Sequence, residues 1–379
     1  MKINFISNLD LLQISGGFSA MNVAAYDAMT EIAHVNYVGP VQPQIHLGAK
    51  LKSKVSRIVG APGNFYFFSE ERLKRVAQEV ASGCQDDAEL DFFHGFTPWI
   101  RCHTRRPFVA WSDCSFQDYI NIFHDPHTFC RPDIKRICDA EAKWLSGAKG
   151  VFLSSNWASR RVQHYYGLRD VPVCSVGIFG AMEIAREDRY EGSHDFLFVS
   201  TDYQRKRGRL CREAMDVVWR LFPDARLKII GDPPPTSDLV DGKVIYEGFL
   251  TKSNPVQLRK LANHFSTAFA IVHPTGADIA PLVLIEAAFF GCPAITVDDF
   301  AVPEVAPREV SALLLQRPVT SASIAQTMIE LLIDTNRYSQ MRKDARTYSL
   351  KNHSRDAFKK RLQRAVLDVC SGIRKGQSV

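Results

Sequence analysis

The sequence has no apolar run of about 20 residues, the length that a helix needs to cross a bilayer. It also lacks the N-terminal layout of a signal peptide. Its first apolar stretch is short and is interrupted by Asn8 and Asp10, which is more typical of a β-strand. We therefore expect a cytoplasmic protein.

The nine cysteines contain no C-x-x-C pair and no repeating spacing. This distribution argues against a disulfide framework and against a structural zinc site, and it favours buried free thiols. We predict no metal site.

A G-x-G-x-x-G fingerprint is absent as well, which argues against a nicotinamide-binding domain. The corresponding place, after the first predicted strand, holds the segment ISGGFSAM at residues 14 to 21. Gly16 and Gly17 would allow a ligand to approach the backbone closely, and a helix from Ser19 would direct its N-terminal dipole toward that ligand. By itself such a pair is usually a turn.

The length and composition of the sequence are typical of a two-domain globular chain. There are 379 residues, of which 46% are hydrophobic and 23% charged, and the formal net charge is +6. This length suits two domains of roughly 180 residues each. Basic clusters occur without any nucleic-acid-binding signature, so we expect no nucleic-acid partner.

Short apolar runs alternate with amphipathic stretches along the whole chain, which predicts parallel sheets with helices on both faces. The alternation pauses in the linker candidate at 171–194 and resumes with DFLFVS. We predict domains at residues 1–176 and 177–355, with a ligand cleft at the carboxyl ends of the strands. The predicted strands are Ile3–Ile6, Val35–Val38, Phe92–His94, Phe108–Trp111, Val151–Leu153, Phe196–Ser200, Arg226–Ile230, Val244–Tyr246, Phe269–His273, Ala294–Val297 and Ala312–Leu315.

The segment HPTGADIAPLVLIEAAFFGCPAI, residues 273 to 295, carries the strongest motif. Asp278 falls in a loop after a predicted strand, and a helix begins near Pro281 and Leu282. Glu286 lies in the early turns of that helix. Carboxylates there can accept hydrogen bonds from sugar or ribose hydroxyls, and N–H groups at the helix start can hold a phosphate. The alternative is an ordinary helix start with an incidental acid.

The segment FVSTDYQRKRG, residues 198 to 208, follows the first strand of the second half. Its consecutive cations Arg205, Lys206 and Arg207 can neutralise a diphosphate. We favour Arg205 and Lys206, and whether Lys206 or Arg207 contacts the phosphate stays open. A solvated basic turn is the alternative.

Two further segments carry weaker signals. In PFVAWSDCSFQDYINIF, residues 107 to 123, Ser112 and Asp113 follow a predicted strand; Asp113 either orients substrate hydroxyls or caps the next helix. In HGFTPW, His94 ends a strand and Trp99 is suited to stacking on a sugar. A buried, hydrogen-bonded His94 is the commoner outcome.

Together these motifs resemble retaining GT-B glycosyltransferases, particularly family 4, also called glycosyltransferase group 1. Asp278 and Glu286 stand at the two acids of the E-x(7)-E region. The run EAAFFGCPAI resembles E-A-x-x-x-G-x-P-V-I, and Arg205 and Lys206 resemble the phosphate-binding R/K-K-G turn. The resemblance implies an α/β protein of GT-B architecture, with two doubly wound Rossmann-like domains that face each other across a cleft.

The resemblance also implies a function. The implied reaction transfers a sugar from a nucleotide-diphosphate sugar, most often a UDP-sugar or GDP-sugar, to an acceptor. The acceptor is a glycan, a lipid-linked sugar or a small molecule. The reaction retains the anomeric configuration and needs no metal ion. No cofactor is implied. Asp278 would contact the transferred sugar, Glu286 the ribose, and Arg205 and Lys206 the leaving diphosphate. The absence of a D-x-D motif agrees with this.

Three positions depart from the family pattern. Asp278 replaces Glu, Pro281 replaces Gly, and Ser112 stands where many members have His. These departures leave open a non-catalytic or regulatory protein that binds sugar nucleotides, and also a phosphorylase or epimerase. Turnover of a nucleotide sugar discriminates between an enzyme and a binding protein.

The last segment, residues 356–379, is predicted to be a basic amphipathic helix that packs back on the first domain. Phe358, Leu362, Val366 and Val369 lie near one face, and we expect this stripe to be buried between the domains. The cations Lys359, Lys360, Arg361 and Arg364 lie largely elsewhere; they are either plainly solvated or contact an anionic membrane.

Overall fold

The structure, a computed structural model, describes residues 1–12, 16–45, 47–58 and 60–376. The chain divides into two compact units. The N-terminal unit contains Met1–Ile178 together with the chain from Phe358 onward, and the C-terminal unit contains Phe179–Ala357. The sequence pattern predicts the division at residue 176 and the return of the chain at residue 356, two residues earlier in each case.

Six parallel strands form the sheet of the N-terminal unit. They are β1 (Lys2–Ile6), β2 (His34–Val38), β3 (Leu90–His94), β4 (Phe108–Ser112), β5 (Gly150–Leu153) and β6 (Val173–Ser175). Their order is β2-β1-β3-β4-β5-β6, with Ile3 opposite Val35 in β2 and opposite Leu90 in β3. The strand order reverses at β1, so the carboxyl ends of β1 and β3 flank the topological switch point, where open α/β sheets bind ligands.

The C-terminal unit repeats this plan. Its strands are β7 (Asp195–Ser200), β8 (Arg226–Gly231), β9 (Val244–Tyr246), β10 (Ala270–His273), β11 (Ala294–Val297) and β12 (Ala312–Leu315). They are parallel in the order β12-β11-β10-β7-β8-β9. The switch point lies between β7 and β10, the two strands that precede the basic and acidic motifs.

Helices connect the strands. They are α1 (Gly17–Thr30), α2 (Leu47–Ile58), α3 (Glu70–Gly83), α4 (Phe116–Phe123), α5 (Arg131–Leu145), α6 (Asn156–Tyr166), α7 (Gly208–Val218), α8 (Pro255–Thr267), α9 (Leu282–Ala288), α10 (Val302–Val305), α11 (Ser321–Ile333), α12 (Thr335–His353) and α13 (Arg355–Gly376). No described helix is both long and apolar enough to cross a membrane.

The predicted α/β architecture is confirmed, and it follows from burial. Every residue of β3, β4 and β5 is buried. A strand covered on both faces needs a continuous apolar run, which is the pattern that predicts these strands. One strand was not predicted: β6 lies inside the linker candidate, so that segment completes the first sheet before the chain leaves it.

Helix α13 packs on the N-terminal unit. Phe358, Leu362 and Val366 are fully buried, and the Phe358 ring contacts Trp111 edge-on with centroids 6.2 Å apart. On the polar side, Gln363 Nε2 donates to the carbonyl of Ala28 at 3.0 Å. The helix therefore supplies core residues to a sheet formed by the other end of the chain.

Of the four cations on α13 that the sequence analysis singles out, two are held by the protein. Lys359 pairs with Glu31, and Arg361 Nε donates to the carbonyl of Val176 at 2.8 Å. Lys360 and Arg364 are exposed. Arg355, at the start of the same helix, is exposed as well, and contact of these cations with an anionic membrane stays a prediction.

Leu362 tests the packing of α13. We expect Leu362→Ala to lower the free energy of unfolding by about 2–5 kcal/mol, because the lost side chain leaves a cavity. Leu367→Ala is the matched control, since Leu367 is 43% exposed on the same helix and its truncation should change stability by less than about 0.5 kcal/mol. Urea denaturation followed by circular dichroism measures both. Equal losses in the two variants would contradict the packing.

Candidate functional site

The turn after β7 places three consecutive cations at the carboxyl end of that strand. The N–H of Arg205 donates to Asp202 Oδ1 at 2.9 Å, which fixes the start of the turn. Gly208 ends it, and a Cβ there would lie 2.2 Å from the Tyr203 ring. Only glycine therefore fits where the turn enters α7.

This basic turn is tied to the loop after β10. Lys206 Nζ donates to the carbonyl of Ala277 at 2.6 Å and to Asp278 Oδ2 at 2.5 Å. The N–H of Gly276 donates to the carbonyl of Arg205 at 3.2 Å. The basic and acidic motifs, about 70 residues apart in sequence, are thus joined at the switch point of the sheet.

Asp278 is held as a carboxylate. Burial alone would raise its pKa, but hydrogen bonding from His273 and the charge of Lys206 together lower the pKa below its usual value. His273 Nε2 lies 3.4 Å from Asp278 Oδ2. His273 was not among the predicted site residues, although its position at the end of β10 was a signal for it. An ionised Asp278 accepts hydrogen bonds and does not donate them.

Arg207 has an unusual backbone and an unpaired donor. Its φ is 60°, in the left-handed region, which a non-glycine residue adopts at some cost in free energy. Its Nη1 is buried and has no hydrogen-bond partner among the described residues. Burial, with a smaller contribution from Arg317, lowers the pKa of Arg207, while Asp299 opposes this change.

Glu286 lies in α9 and is only 2% exposed. Its Oε1 accepts a hydrogen bond from the N–H of Ala181 at 3.0 Å and forms an ion pair with Lys252. Lys252 was missed at the sequence level, because nothing in the loop after β9 points to a carboxylate 34 residues later. Each acid of the motif therefore has its own lysine partner.

The start of α9 has the predicted position. Pro281 precedes the helix with an extended backbone, and its side chain makes no capping hydrogen bond. Leu282 is the first helical residue. Because Pro281 carries no N–H, one fewer backbone donor is present here than any other residue would supply.

In the N-terminal unit, Gly17 begins α1 and Gly16 precedes it. The N–H of Gly16 donates to Ser19 Oγ at 2.9 Å. The backbone at Gly16 is extended, and a Cβ there would meet no atom within 4 Å. Packing within the protein therefore does not require glycine at this position. Ile14 and Ser15 of the predicted glycine loop lie outside the described residues.

Ser112 and Asp113 lie at the end of β4. Ser112 Oγ donates to the carbonyl of Cys114 at 3.1 Å and is 3.4 Å from Asp113 Oδ1. The capping alternative for Asp113 is wrong: Ser115 caps α4, with its Oγ accepting from the N–H of Asp118 at 3.0 Å. Burial raises the pKa of Asp113.

Trp99 and His94 are not placed as predicted. Trp99 is fully buried, and its Nε1 donates to the carbonyl of His94 at 3.0 Å, so the ring presents no face to a sugar. His94 is fully buried between Phe18 and Trp111, with ring centroids 4.6 and 5.0 Å away. Neither ring nitrogen has a hydrogen-bond partner among the described residues, so the expectation of a hydrogen-bonded histidine is wrong.

The two sets of groups in the C-terminal unit differ in what they can bind. The basic turn offers guanidinium donors, which suit the oxygens of a phosphate. Asp278 and Glu286 offer carboxylate acceptors, which suit hydroxyl groups. Among the described residues, no group of three or more His, Cys, Asp and Glu is arranged to hold a metal ion.

Comparison with known protein families gives a match for most of the C-terminal unit. Residues 182–348 match the family model described as glycosyl transferases group 1, in agreement with the predicted resemblance to glycosyltransferases. No curated protein matches the chain by sequence.

Solved structures show the same fold for the rest of the chain. Sucrose-phosphate synthase from Thermosynechococcus elongatus is 13% identical, with a TM-score of 0.68 over 98% of this chain and 99% of that one. WaaG, a glycosyltransferase involved in lipopolysaccharide biosynthesis, is 13% identical, with a TM-score of 0.65 over 96% and 99%. The predicted GT-B fold is therefore confirmed.

A longer structure matches over part of its length. Staphylococcus aureus TarM, solved with fondaparinux, α-GlcNAc-glycerol and UDP, is 11% identical with a TM-score of 0.54. The match covers 73% of this chain, and this chain spans 55% of the length of TarM.

His94 gives the N-terminal unit a measurable acid sensitivity. Burial lowers the pKa of His94 from 6.5 to about 3. Between these values the unfolded chain binds a proton that the folded chain does not, so the free energy of unfolding falls as the pH drops through this window. From pH 7 to pH 5 we expect the wild type to lose about 2 kcal/mol more than His94→Phe.

Urea denaturation at each pH measures this difference. His127→Gln is the control, because His127 is exposed and should leave the acid sensitivity unchanged. Identical pH dependence in the wild type and His94→Phe would show that folding does not lower the pKa of His94.

Proposed function

We propose that this chain is a retaining, metal-independent glycosyltransferase that moves a sugar from a nucleotide-diphosphate sugar to an acceptor hydroxyl. The observation that carries the proposal is the junction of the basic turn with the Asp278 loop between β7 and β10. A donor of this kind presents a diphosphate beside a sugar, and this junction offers cations beside a carboxylate. The family match of residues 182–348 supports the same activity.

The phosphate-binding roles follow from which donors are already used. Lys206 is engaged by Asp278 and by the carbonyl of Ala277. The Nη1 of Arg207 has no partner among the described residues. The side chain of Arg205 is 49% exposed and uses its Nε in an ion pair with Asp202 at 3.2 Å, which leaves its terminal nitrogens for a phosphate. We therefore assign the diphosphate mainly to Arg205 and Arg207, with Lys206 adding charge and positioning Asp278.

The carboxylates serve the two sugars of the donor. Asp278, kept ionised by Lys206, accepts hydrogen bonds from hydroxyls of the transferred sugar. Both hydrogen bonds to Glu286 reach its Oε1, so we assign its Oε2 to the ribose hydroxyls. Lys252 and the N–H of Ala181 hold Glu286 in place for that contact.

The reaction breaks the bond between the anomeric carbon and the diphosphate oxygen, and it forms a bond from the same carbon to the acceptor oxygen. The departing diphosphate takes the proton of the acceptor hydroxyl on the same face of the sugar, so the configuration is retained. Fixed cations stabilise the charge that develops on the leaving group. Ser112 and Asp113, which belong to the N-terminal unit, orient hydroxyl groups of the substrates.

The donor is identified by a thermal-shift panel of UDP, GDP, ADP, CMP and dTDP. UDP is our first candidate, since TarM was solved with it. Release of nucleotide from UDP-glucose, UDP-galactose or UDP-N-acetylglucosamine then separates an enzyme from the alternative, a protein that binds sugar nucleotides without turnover.

Glu286 tests the ribose contact. We expect Glu286→Gln to weaken UDP binding by about 1–3 kcal/mol, because a charge-assisted hydrogen bond is lost and its partners are left poorly matched. Calorimetric titration measures the affinity, and Glu213→Gln on α7, outside both loops, is the matched control. UDP affinity equal to that of the wild type would remove Glu286 from the donor site.

Arg207 tests the leaving-group contact and the independence from metal. Wild-type turnover should persist in excess EDTA, because fixed cations supply the charge. Under the same conditions Arg207→Gln should lower kcat about 10²- to 10³-fold, the usual effect of removing one donor to developing charge. Arg209→Gln is the control, since Arg209 is 74% exposed at the next turn.

Nucleotide release in a coupled assay measures both effects. Loss of activity in EDTA that Mg²⁺ or Mn²⁺ restores would overturn the metal-independent mechanism. A normal kcat in Arg207→Gln would overturn the assignment of Arg207.

A further inference from the structure

The N-terminal unit contains a cavity of about 920 Å³ that begins at the carboxyl edge of its sheet. Asn8 follows β1, Gly95 follows β3 and Asp113 follows β4, and all three line this end. The cavity therefore opens beside the switch point, where open α/β sheets bind ligands. Its volume matches that of pockets which enclose a small organic molecule, about 300–1,000 Å³.

Aromatic rings form most of the remaining wall. Phe65 lies at the centre of this group, with its ring centroid 5.5 Å from Phe68, 5.4 Å from Phe116, 5.0 Å from Phe129 and 6.3 Å from Tyr119. The contacts with Phe116 and Tyr119 are edge-to-face. A flat ring bound here would meet both ring faces and ring edges, the two favoured geometries for aromatic pairs.

Part of this wall is held rigidly from behind by a buried carboxylate. Glu141 accepts from Thr97 Oγ1 at 2.6 Å, from the N–H of Phe116 at 2.8 Å and from the hydroxyl of Tyr166 at 2.9 Å. Thr97 and Phe116 both line the cavity. Because these anchors are satisfied within the protein, the wall is formed before any ligand binds.

The charge of the lining restricts what can bind. Among the described residues that line the cavity, none is Lys or Arg, the bases are the imidazoles of His124 and His127, and Asp113 is the one carboxylate. A phosphate or carboxylate placed here would lose its hydration without gaining a permanent Lys or Arg cation, which is unfavourable while the two imidazoles are neutral. A neutral hydroxyl would instead donate a hydrogen bond to Asp113 at the polar end.

We infer that this cavity is the acceptor site, and that the acceptor is a neutral small molecule with a flat, apolar aryl group. The inference rests on the proposed function and names its acceptor class. The aryl group packs among Phe65, Phe116 and Tyr119, and a hydroxyl of the same molecule donates to Asp113. Lipid-diphosphate and sugar-phosphate acceptors are disfavoured by the lack of Lys and Arg among the described lining residues.

Matched ligands test the inference on the full chain. The probes are 4-nitrophenyl β-glucoside, methyl β-glucoside, octyl β-glucoside and glucose 6-phosphate, with affinities measured by calorimetry. We expect the aryl glucoside to bind at least about tenfold more tightly than the methyl glucoside, a difference of about 1.4 kcal/mol. Glucose 6-phosphate should bind more weakly than methyl glucoside.

Each contrary result overturns one part of the inference about the acceptor. Equal affinity for aryl and methyl glucosides removes the apolar subsite. Octyl glucoside binding as tightly as the aryl glucoside removes the preference for a flat ring. Tighter binding of glucose 6-phosphate removes the argument from charge.

A substitution at Tyr119 tests whether the aryl group binds in this cavity. Tyr119→Ala should abolish the advantage of the aryl over the methyl glucoside, because Tyr119 forms part of the wall. Tyr165→Ala is the matched control: Tyr165 is 40% exposed, against 37% for Tyr119, and does not line this cavity. An aryl preference that survives Tyr119→Ala places the ligand elsewhere and overturns the inference.

UDP titration of the same preparations separates this inference from the proposed function. If UDP binds and a UDP-sugar is turned over while the aryl preference is absent, the acceptor class is wrong and the function stands. If no nucleotide of the panel binds, the proposed function is wrong, and the acceptor inference that rests on it is overturned as well.

Discussion

The ion pair between Lys206 and Asp278 is the contact on which the candidate donor site depends. It joins two loops that leave adjacent strands, β7 and β10, in the same direction. Partly buried charges of this kind are tolerated when further hydrogen bonds satisfy their remaining donors, and here the carbonyl of Ala277 and the ring of His273 do so. Together with the hydrogen bond from His273, the charge of Lys206 lowers the pKa of Asp278 and keeps it ionised.

The parallel-sheet topology explains why this contact forms at all. Loops at the carboxyl ends of neighbouring parallel strands lie side by side whatever their separation in sequence. The N-terminal unit uses the same geometry for a different purpose. There the loops after β1, β3 and β4 bring Asn8, Gly95 and Asp113 to one end of an aromatic cavity. One architecture thus presents a charged edge in one unit and a largely apolar one in the other.

Much of the fold and part of the candidate site could be predicted from sequence, because both depend on patterns of neighbouring residues. The apolar runs predict β9, β11 and β12 with both bounds. Strands β11 and β12 are buried throughout, and a strand covered on both faces has few polar residues. Strand β6 escaped prediction because it has only three residues at the sheet edge, of which Cys174 is exposed and the other two are partly buried. Lys252 escaped because its partner lies 34 residues along the chain and is set by tertiary pairing, whereas His273 pairs with Asp278 only five residues away and was overlooked. Trp99 was assigned wrongly because sequence does not show whether an aromatic residue after a strand turns inward or outward.

The return of α13 to the first sheet makes the N-terminal unit discontinuous along the chain, whereas the C-terminal unit is one unbroken segment. On the ribosome, the residues of the C-terminal unit all emerge before Phe358, Leu362 and Val366 do. At 5–20 residues per second, synthesis of the intervening segment takes about 10–40 s. Throughout that interval the surface that α13 will cover, including Trp111, is uncovered. The second unit to be translated is therefore the first that can complete its core, and the nascent first unit is the part of the chain in greater need of a chaperone.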